Sequence, residues 1–203
     1  MTKIKLCGMM DPPDVIAAAE LKADYVGFIL SDGFRRSLGL GTFCELASYL
    51  DDYKTDAKKV GVFVNEPIEN IMEYYADWLD LIQLHGNEDD RYIREIQKQS
   101  GKPVIKAFKI QSEYDVELAR KSKADYVLLD SGTGTGKTFD HSLLKNIDRP
   151  YFLAGGLTAE NVGEAIEKLH PFAVDASSCL EIDGKKDKTK MTEFVCAVRR
   201  KER

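Results

Sequence analysis

Residues 151–178, YFLAGGLTAENVGEAIEKLHPFAVDASS, contain one complete strand–helix–strand unit. Tyr151–Ala154 and Phe172–Ala176 are short, continuous apolar runs, a pattern typical of strands that are buried on both faces of a parallel sheet. The segment between them has helical periodicity, and Thr158 is its predicted N-cap. The stretch therefore predicts a βαβ unit of a parallel sheet.

The same alternation occupies the rest of the chain. Six further apolar, β-branched runs come before this unit: Lys3–Cys7, Tyr25–Leu30, Val60–Val64, Leu81–His85, Val104–Phe108 and Tyr126–Asp130. Amphipathic segments separate them, beginning with Asp11–Leu21, and a last helix is predicted over Lys188–Lys201. Eight strands and eight helices in 203 residues predict an α/β protein, a single-domain (β/α)8 TIM barrel over residues 1–203. The rival, an open doubly wound sheet, more usually has fewer strands.

Composition and charge restrict the class of partner. The net charge is −5 and no long basic run is present, so we expect neither nucleic acid nor an anionic membrane as a partner. No apolar stretch reaches the roughly 18 residues of a membrane span, and the N-terminus resembles no signal peptide, so a cytoplasmic protein is expected. Its cysteines and histidines lack ligand spacing, so we expect no metal.

The glycine-rich stretch after the sixth strand resembles a nucleotide-binding P-loop at first sight. Ser131 stands where such a loop has its first glycine, and Asp140 is the predicted N-cap of a helix that begins too late for that motif. Nucleotide binding is therefore disfavoured. We predict that Gly132, Gly134 and Gly136 belong to a mobile loop over the barrel mouth, and a plain connecting loop stays the alternative.

Two strand ends predict a phosphate site. Gly155-Gly156 follows the seventh strand just before a helix, and Ser177-Ser178 follows the eighth. In barrels of this class, phosphate commonly binds at these two loops, where amide groups and a helix dipole favour an anion. A tight turn with a capping serine pair is the structural alternative. The third strand ends without a glycine pair, so one phosphate site is predicted.

Ionisable residues at other strand ends indicate acid–base chemistry. Cys7 ends the first strand, and Asp130 follows four largely apolar residues at the end of the sixth. A thiol and a carboxyl beside one phosphate site could transfer protons on a phosphosugar, although a cysteine at such a position is more often inert. Lys5 faces the same side as Cys7 because strand side chains alternate, and we expect Asp175 as its partner. His85 is predicted to line the mouth as a neutral ring.

Seven short motifs together resemble one known family. KLCGM, VGFIL…RR, VGVFVNEP, IQLHG, LLD…GTGKTFD, AGGLTAENV and VDASSCLE…GKKD occur in the order found in the phosphoribosylanthranilate isomerases of tryptophan biosynthesis. The resemblance covers nearly the whole chain. It implies a (β/α)8 barrel that performs an Amadori rearrangement on a phosphosugar without a metal or an organic cofactor, as a monomer or a homodimer.

The resemblance also implies roles for individual residues. Cys7 matches the general base of the family, Asp130 its general acid, and Arg36 the arginine that holds the anthranilate carboxylate. Arg36 is therefore expected to bind the substrate, and His85 and Asp175 are expected to do so from their positions at the strand ends. Four further residues are expected to bind its phosphate: Gly155, Gly156, Ser177 and Ser178.

The chain departs from the family pattern at several positions, and other functions stay open. Phe34 stands where a serine is common, His141 where a tryptophan is customary, and Cys179 where a glycine is usual. The histidine-pathway isomerase performs the same rearrangement but has an aspartate at the position of Cys7, so it is disfavoured. A non-catalytic barrel that acts as a binding module is a further alternative, disfavoured because Cys7, Asp130 and Arg36 are all present.

Overall fold

Eight parallel strands form a closed barrel in sequence order, each hydrogen-bonded to its neighbours along the chain. The computed structural model describes residues 1–130, 144 and 147–200. The strands are β1 (Lys3–Cys7), β2 (Tyr25–Ile29), β3 (Lys58–Phe63), β4 (Leu81–Leu84), β5 (Val104–Lys109), β6 (Tyr126–Asp130), β7 (Tyr151–Ala154) and β8 (Ala173–Ala176). The predicted fold class is confirmed, and the strand bounds differ from prediction by at most two residues.

The barrel closes where β1 pairs with β8. In this register Lys5 lies opposite Asp175 on one side and opposite Tyr25 of β2 on the other. Because side chains alternate along β1, Ile4 and Leu6 point towards the helices, whereas Lys5 and Cys7 point into the barrel. Residues 170 positions apart in sequence are thereby placed side by side.

Helices follow the strands on the outside of the barrel. They are α1 (Pro12–Glu20), α2 (Leu40–Asp52), α3 (Ile68–Asn70), α4 (Asp90–Ser100), α5 (Glu113–Lys121), α6 (Val162–Leu169) and α7 (Lys188–Arg200). The helix predicted after the sixth strand, with Asp140 as its N-cap, falls outside the described residues. After the third strand, α3 continues into a π-helical turn, Ile71–Tyr75, instead of a regular helix.

The start of α6 differs from the prediction. Asn161, not Thr158, occupies the cap position, and the Thr158 carbonyl accepts a hydrogen bond from the Val162 amide at 3.0 Å. The Asn161 side chain accepts a hydrogen bond from the Thr158 amide at 2.8 Å and donates one to the Gly156 carbonyl at 2.9 Å. Asn161 thus ties the start of α6 to the loop after β7, and this turn delays the helix by a few residues.

Two hydrophobic layers support the barrel. The larger layer packs the outward side chains of the strands against the helices, as with Phe28 and Leu46. The smaller layer fills the barrel interior near the amino ends of the strands and includes Phe152, Ile105 and Val60. Each fully buried large side chain of this kind contributes about 1.5–3 kcal/mol. This interior apolar layer forms the floor of the barrel, and polar side chains replace it at the carboxyl ends of the strands.

A small antiparallel hairpin extends from the barrel after β8. It consists of β9 (Glu181–Ile182) and β10 (Lys185–Lys186), and the sequence analysis did not predict it. Asp183 and Gly184 have φ angles of 49° and 81°, as a two-residue type I′ turn requires. Within the part of the chain that the structure describes, no helix is both long and apolar enough to cross a membrane.

Candidate active site

A cavity of about 470 Å³ opens at the carboxyl ends of the strands. The predicted site residues that line it are Cys7, His85, Asp130, Gly155, Gly156, Asp175, Ser177 and Ser178. A second cleft, of about 620 Å³, lies at the opposite end of the barrel and is lined by surface residues such as Lys3 and Tyr53. Of these two cavities, only the first is lined by ionisable side chains from the ends of four different strands. It is therefore the candidate active site.

Lys5 and Asp175 form an ion pair beneath this cavity, as predicted. The Lys5 Nζ lies 3.0 Å from Asp175 Oδ1, and the Lys5 side chain is completely buried. Burial acts to lower the pKa of Lys5, but the Asp175 carboxylate and the Cys7 thiol outweigh it and raise that pKa, so the ammonium stays charged. The pair therefore places a fixed positive charge next to Cys7. Whether that charge assists catalysis stays a prediction.

His85 faces Asp130 across the mouth, with its Nε2 4.0 Å from Asp130 Oδ2. Burial lowers the pKa of His85 although the Asp130 carboxylate acts to raise it, which favours the predicted neutral ring. Although protein surrounds most of the ring, 41% of the His85 side chain is exposed at the mouth, and this exposure limits the lowering of its pKa. The Gln83 Nε2 lies 3.2 Å from Nδ1. If the amide donates there, the proton of the ring is on Nε2, towards Asp130.

Sequence reasoning missed Gln83. It is 1% exposed, it lines the cavity, and its Oε1 is buried without a hydrogen-bond partner among the described residues. Because an unpaired buried acceptor is unfavourable, the amide oxygen is suited to a donor group of a bound ligand. The available signal was the single amide within the apolar run LIQL of β4.

The loops after β7 and β8 meet at one side of the cavity. Gly155 and Gly156 precede α6 and have φ angles of 88° and 64°, which residues other than glycine rarely adopt. Across from them, Ser177 donates a hydrogen bond from Oγ to the Cys7 carbonyl at 3.0 Å. The predicted phosphate loops and the predicted base thus share one wall of the site.

Arg36 does not line the cavity but lies beside it. Its side chain packs over Gly8, so closely that a Cβ at Gly8 would lie 2.8 Å from Arg36 Cδ. The guanidinium Nε is 3.0 Å from Glu181 Oε1, and the same oxygen is 3.0 Å from Lys186 Nζ. Glu181 and Lys186 were not singled out from the sequence, although both belong to the VDASSCLE…GKKD motif.

The departures from the family pattern have different positions. Cys179 lines the cavity, and burial raises its pKa to about 11, so it is a neutral thiol at physiological pH. Phe34 is 47% exposed and is not among the cavity-lining residues. His141 and the glycines at 132, 134 and 136 lie outside the described residues. Among the residues that are described, no cluster of histidine, cysteine and carboxylate side chains could hold a metal ion.

A closed parallel barrel with a polar cavity at the carboxyl ends of its strands defines the class of (β/α)8-barrel enzymes, in which this face carries the active site. The family model described as N-(5'phosphoribosyl)anthranilate (PRA) isomerase matches residues 4–197. The chain belongs to the N-(5'-phosphoribosyl)anthranilate isomerase family.

Individual relatives agree over nearly full length. The N-(5'-phosphoribosyl)anthranilate isomerase of Endomicrobium trichonymphae is 41% identical over 98% of this chain and 99% of its own length. The enzyme of Clostridium acetobutylicum is also 41% identical, with 98% and 99% covered. The crystal structure of the Thermotoga maritima enzyme has a TM-score of 0.87 at 35% identity, with 98% and 99% covered. The predictions of an isomerase and of a role in tryptophan biosynthesis are confirmed at the level of the family.

One solved structure bears on the ligand of the family. A phosphoribosyl anthranilate isomerase in complex with reduced 1-(o-carboxyphenylamino)-1-deoxyribulose 5-phosphate matches with a TM-score of 0.85 and 34% identity, covering 98% of this chain and 99% of that one.

Proposed function

We propose that this chain converts N-(5-phosphoribosyl)anthranilate into 1-(2-carboxyphenylamino)-1-deoxyribulose 5-phosphate, with Asp130 as general acid and Cys7 as general base. The observation that carries the proposal is that both residues line the same cavity as the loops of Gly155-Gly156 and Ser177-Ser178. A relative of the same fold binds the reduced form of this product. The substrate is thus a small phosphosugar whose phosphate would bind at those loops.

In the first step Asp130 donates its proton to the furanose oxygen. The bond between C1 and that oxygen breaks, and the nitrogen lone pair forms a protonated Schiff base at C1. A positioned carboxyl group can act as a general acid by donating its own proton to the leaving oxygen. His85 Nε2, 4.0 Å from Asp130 Oδ2, is placed to help orient the carboxyl group and the sugar hydroxyls.

In the second step the Cys7 thiolate removes the proton from C2. The electrons of the C2–H bond form a C1=C2 double bond and neutralise the iminium nitrogen, which yields an enolamine. Transfer of the hydroxyl proton on C2 to C1 gives the ketone. Cys7 then releases the proton that it took from C2, and Asp130 regains one by exchange with solvent, so atoms and electrons balance without a co-reactant. The Lys5 ammonium interacts with Cys7 and places a positive charge beside the proposed base.

Arg36 is proposed to hold the anthranilate carboxylate, since a guanidinium can bind a carboxylate through two parallel hydrogen bonds. Its side chain lies over Gly8, directly after Cys7, and is therefore close to the proposed base. Asp175, fixed by Lys5, would accept a hydrogen bond from the substrate at the cavity floor.

The test is a fluorescence assay that follows the loss of phosphoribosylanthranilate. Cys7→Ser and Asp130→Asn should each lower kcat by about 10²–10⁴-fold, the usual contribution of a positioned acid or base. Cys196→Ser and Asp77→Asn repeat the same substitutions at exposed positions and should leave turnover unchanged. Wild-type protein without turnover would refute the proposed function, and undiminished turnover of one variant would remove that residue from the mechanism.

A further inference from the structure

We infer that Glu181 and Lys186, on the β9–β10 hairpin, are positioning residues that fix the two anion-binding groups of the active site. Glu181 would hold Arg36 for the substrate carboxylate, and Lys186 would hold Ser177 for the phosphate. The inference rests on the proposed function, because it assigns these residues to the binding of that substrate.

Glu181 is the centre of a buried charge cluster. Its side chain is 5% exposed, and its Oε1 lies 3.0 Å from both Arg36 Nε and Lys186 Nζ. Its other oxygen, Oε2, pairs with Arg35. Burial acts to raise the pKa of Glu181, but Lys186 and the two arginines outweigh it and hold that pKa below its usual range. One carboxylate thus separates three cations that would otherwise repel one another.

The contact with Arg36 restrains the guanidinium without using up its donors. The Nε–Oε1 approach is an ion pair and not an aligned hydrogen bond, and Nε is buried without an acceptor among the described residues. Gly8 limits the stem from below, because the Arg36 side chain lies against its backbone. A guanidinium that is held in place by charge and still has donors to offer is suited to an incoming carboxylate.

Lys186 restrains the loop after β8. Its side chain is 2% exposed, and its Nζ donates to the Ser177 carbonyl at 2.9 Å and to Ser177 Oγ at 3.5 Å. Ser177 in turn donates to the Cys7 carbonyl at 3.0 Å. Removal of Lys186 would free the loop after β8 and take a positive charge away from the predicted phosphate site.

The hairpin explains why the two residues act together. Lys186 pairs directly with Glu181 in the register of β9 and β10, so their side chains lie on the same face of the hairpin. The charges of the cluster, three cations and one carboxylate, leave an excess of two positive charges. The proposed substrate carries two anionic groups, a carboxylate and a phosphate, and the cluster contacts one residue proposed for each, Arg36 for the carboxylate and Ser177 for the phosphate.

The experiment separates the two anion-binding groups by fragment binding. NMR titrations of the full chain with anthranilate and with inorganic phosphate give one dissociation constant for each group, in the wild type, Glu181→Gln and Lys186→Met. We expect Glu181→Gln to weaken anthranilate binding roughly ten-fold and phosphate binding less than about two-fold, as for one charge-assisted contact. Lys186→Met should show the reverse. KM for phosphoribosylanthranilate should rise in both variants, with a smaller change in kcat.

Three further variants keep the test decisive. Lys185→Met removes the same charge from an exposed position of the same hairpin and should leave both constants unchanged. Lys186→Arg should restore phosphate binding, and Glu181→Asp, which is too short to reach its three partners, should weaken anthranilate binding if Glu181→Gln fails to fold. Equal weakening of both fragments, or none, would overturn the inference. Wild-type protein that binds neither fragment and turns nothing over would instead overturn the proposed function.

Discussion

Replacement of Lys5 by methionine tests the ion pair on which the barrel floor depends. Methionine keeps most of the length of the side chain and removes only the ammonium, so packing around the fully buried stem is largely retained. Asp175 is left with an unpaired charge at a position where its side chain is 10% exposed. Lys5→Met should therefore destabilise the protein mainly through Asp175.

The magnitude follows from the geometry and the ordinary pKa of aspartate. At 3.0 Å and an effective dielectric constant of about 20, the pair attracts by about 5.5 kcal/mol, which is partly offset by the desolvation of both groups. In the variant, Asp175 can avoid the penalty by taking up a proton. From an ordinary pKa of 3.8, protonation at pH 7 costs about 4.4 kcal/mol, which is the upper limit of the loss. Because removal of one partner of a buried pair costs about 3–5 kcal/mol, we expect a loss of about 3–4 kcal/mol.

The loss should depend on pH in one direction. Burial raises the pKa of Asp175 in the folded protein, and this rise is larger once Lys5 no longer opposes it. Between pH 3.8 and that higher pKa the folded variant binds more protons than the unfolded chain, so its stability falls as pH rises. At pH 5 the limit is only about 1.6 kcal/mol, by the same arithmetic.

Equilibrium urea unfolding at pH 5 and pH 7, followed by the fluorescence of the single tryptophan, Trp78, measures this difference. Lys3→Met is the matched control, because Lys3 lies on the same strand and pairs with Asp24 at 2.8 Å but is 47% exposed, so its loss should be below about 1 kcal/mol. Lys5→Met combined with Asp175→Asn should recover most of the stability. A loss at pH 7 below about 1 kcal/mol, or one that does not shrink at pH 5, would refute this reasoning.

The same variants separate a structural role of Lys5 from a catalytic one. If Lys5 only stabilises the barrel, the double variant should turn over as fast as Asp175→Asn alone. If the ammonium also assists proton removal by Cys7, the kcat of the double variant should stay below that of Asp175→Asn. The kcat of Asp175→Asn, with Lys5 present, identifies the part that is due to Asp175.

Two further predictions concern other parts of the site. Gly8→Ala should raise KM roughly ten-fold or more, because Gly8 has φ +77° and the new Cβ would lie 2.8 Å from Arg36 Cδ. Gly39→Ala is the control and should leave KM unchanged, since nothing lies near its new Cβ. Steady-state kinetics measure both values, and an unchanged KM in Gly8→Ala would contradict the prediction. Since the pKa of His85 is lowered, the unfolded chain binds its proton more readily, so wild-type stability should fall as pH drops below 6.5. His85→Gln should remove this part of the loss of stability at low pH, which is less than about 1 kcal/mol because the side chain is 41% exposed. Equal pH dependence of the unfolding free energy in the wild type and in His85→Gln, measured by urea unfolding, would contradict the prediction.

Much of the site could be predicted from the sequence because its parts are local. A strand that is buried on both faces has a recognisable composition, and its last residue in a parallel barrel lies at the same mouth as the others. For this reason the ends of β1, β4, β6 and β8 could be assigned to one cavity before any distance was known. The pairing of Lys5 with Asp175 was predictable for the same reason, since alternation decides which side chains face inwards and an inward ammonium requires a carboxylate.

Other features depend on contacts that no local pattern specifies. The N-cap of α6 is Asn161 and not the predicted Thr158, because the Asn161 side chain forms hydrogen bonds with the loop after β7. Helix propensity alone does not reveal such contacts. Glu181 and Lys186 looked like ordinary surface charges beside a turn, and only the folded hairpin buries them against Arg36. Gln83 was overlooked because its hydrogen bond to His85 depends on the rotamers of both side chains at the end of β4.

By itself, the sequence determined the number, order and type of the strands, the inward or outward direction of each side chain on β1, and the end of the barrel that carries chemistry. These properties follow from periodicities of two and 3.6 residues, which act over a few positions of the chain. Tertiary structure alone decided which charges meet: the closure of β1 on β8 joins residues 170 positions apart, and the hairpin brings Glu181 to Arg36. Such meetings depend on the register and closure of the whole barrel, which are cooperative properties of all eight strands together.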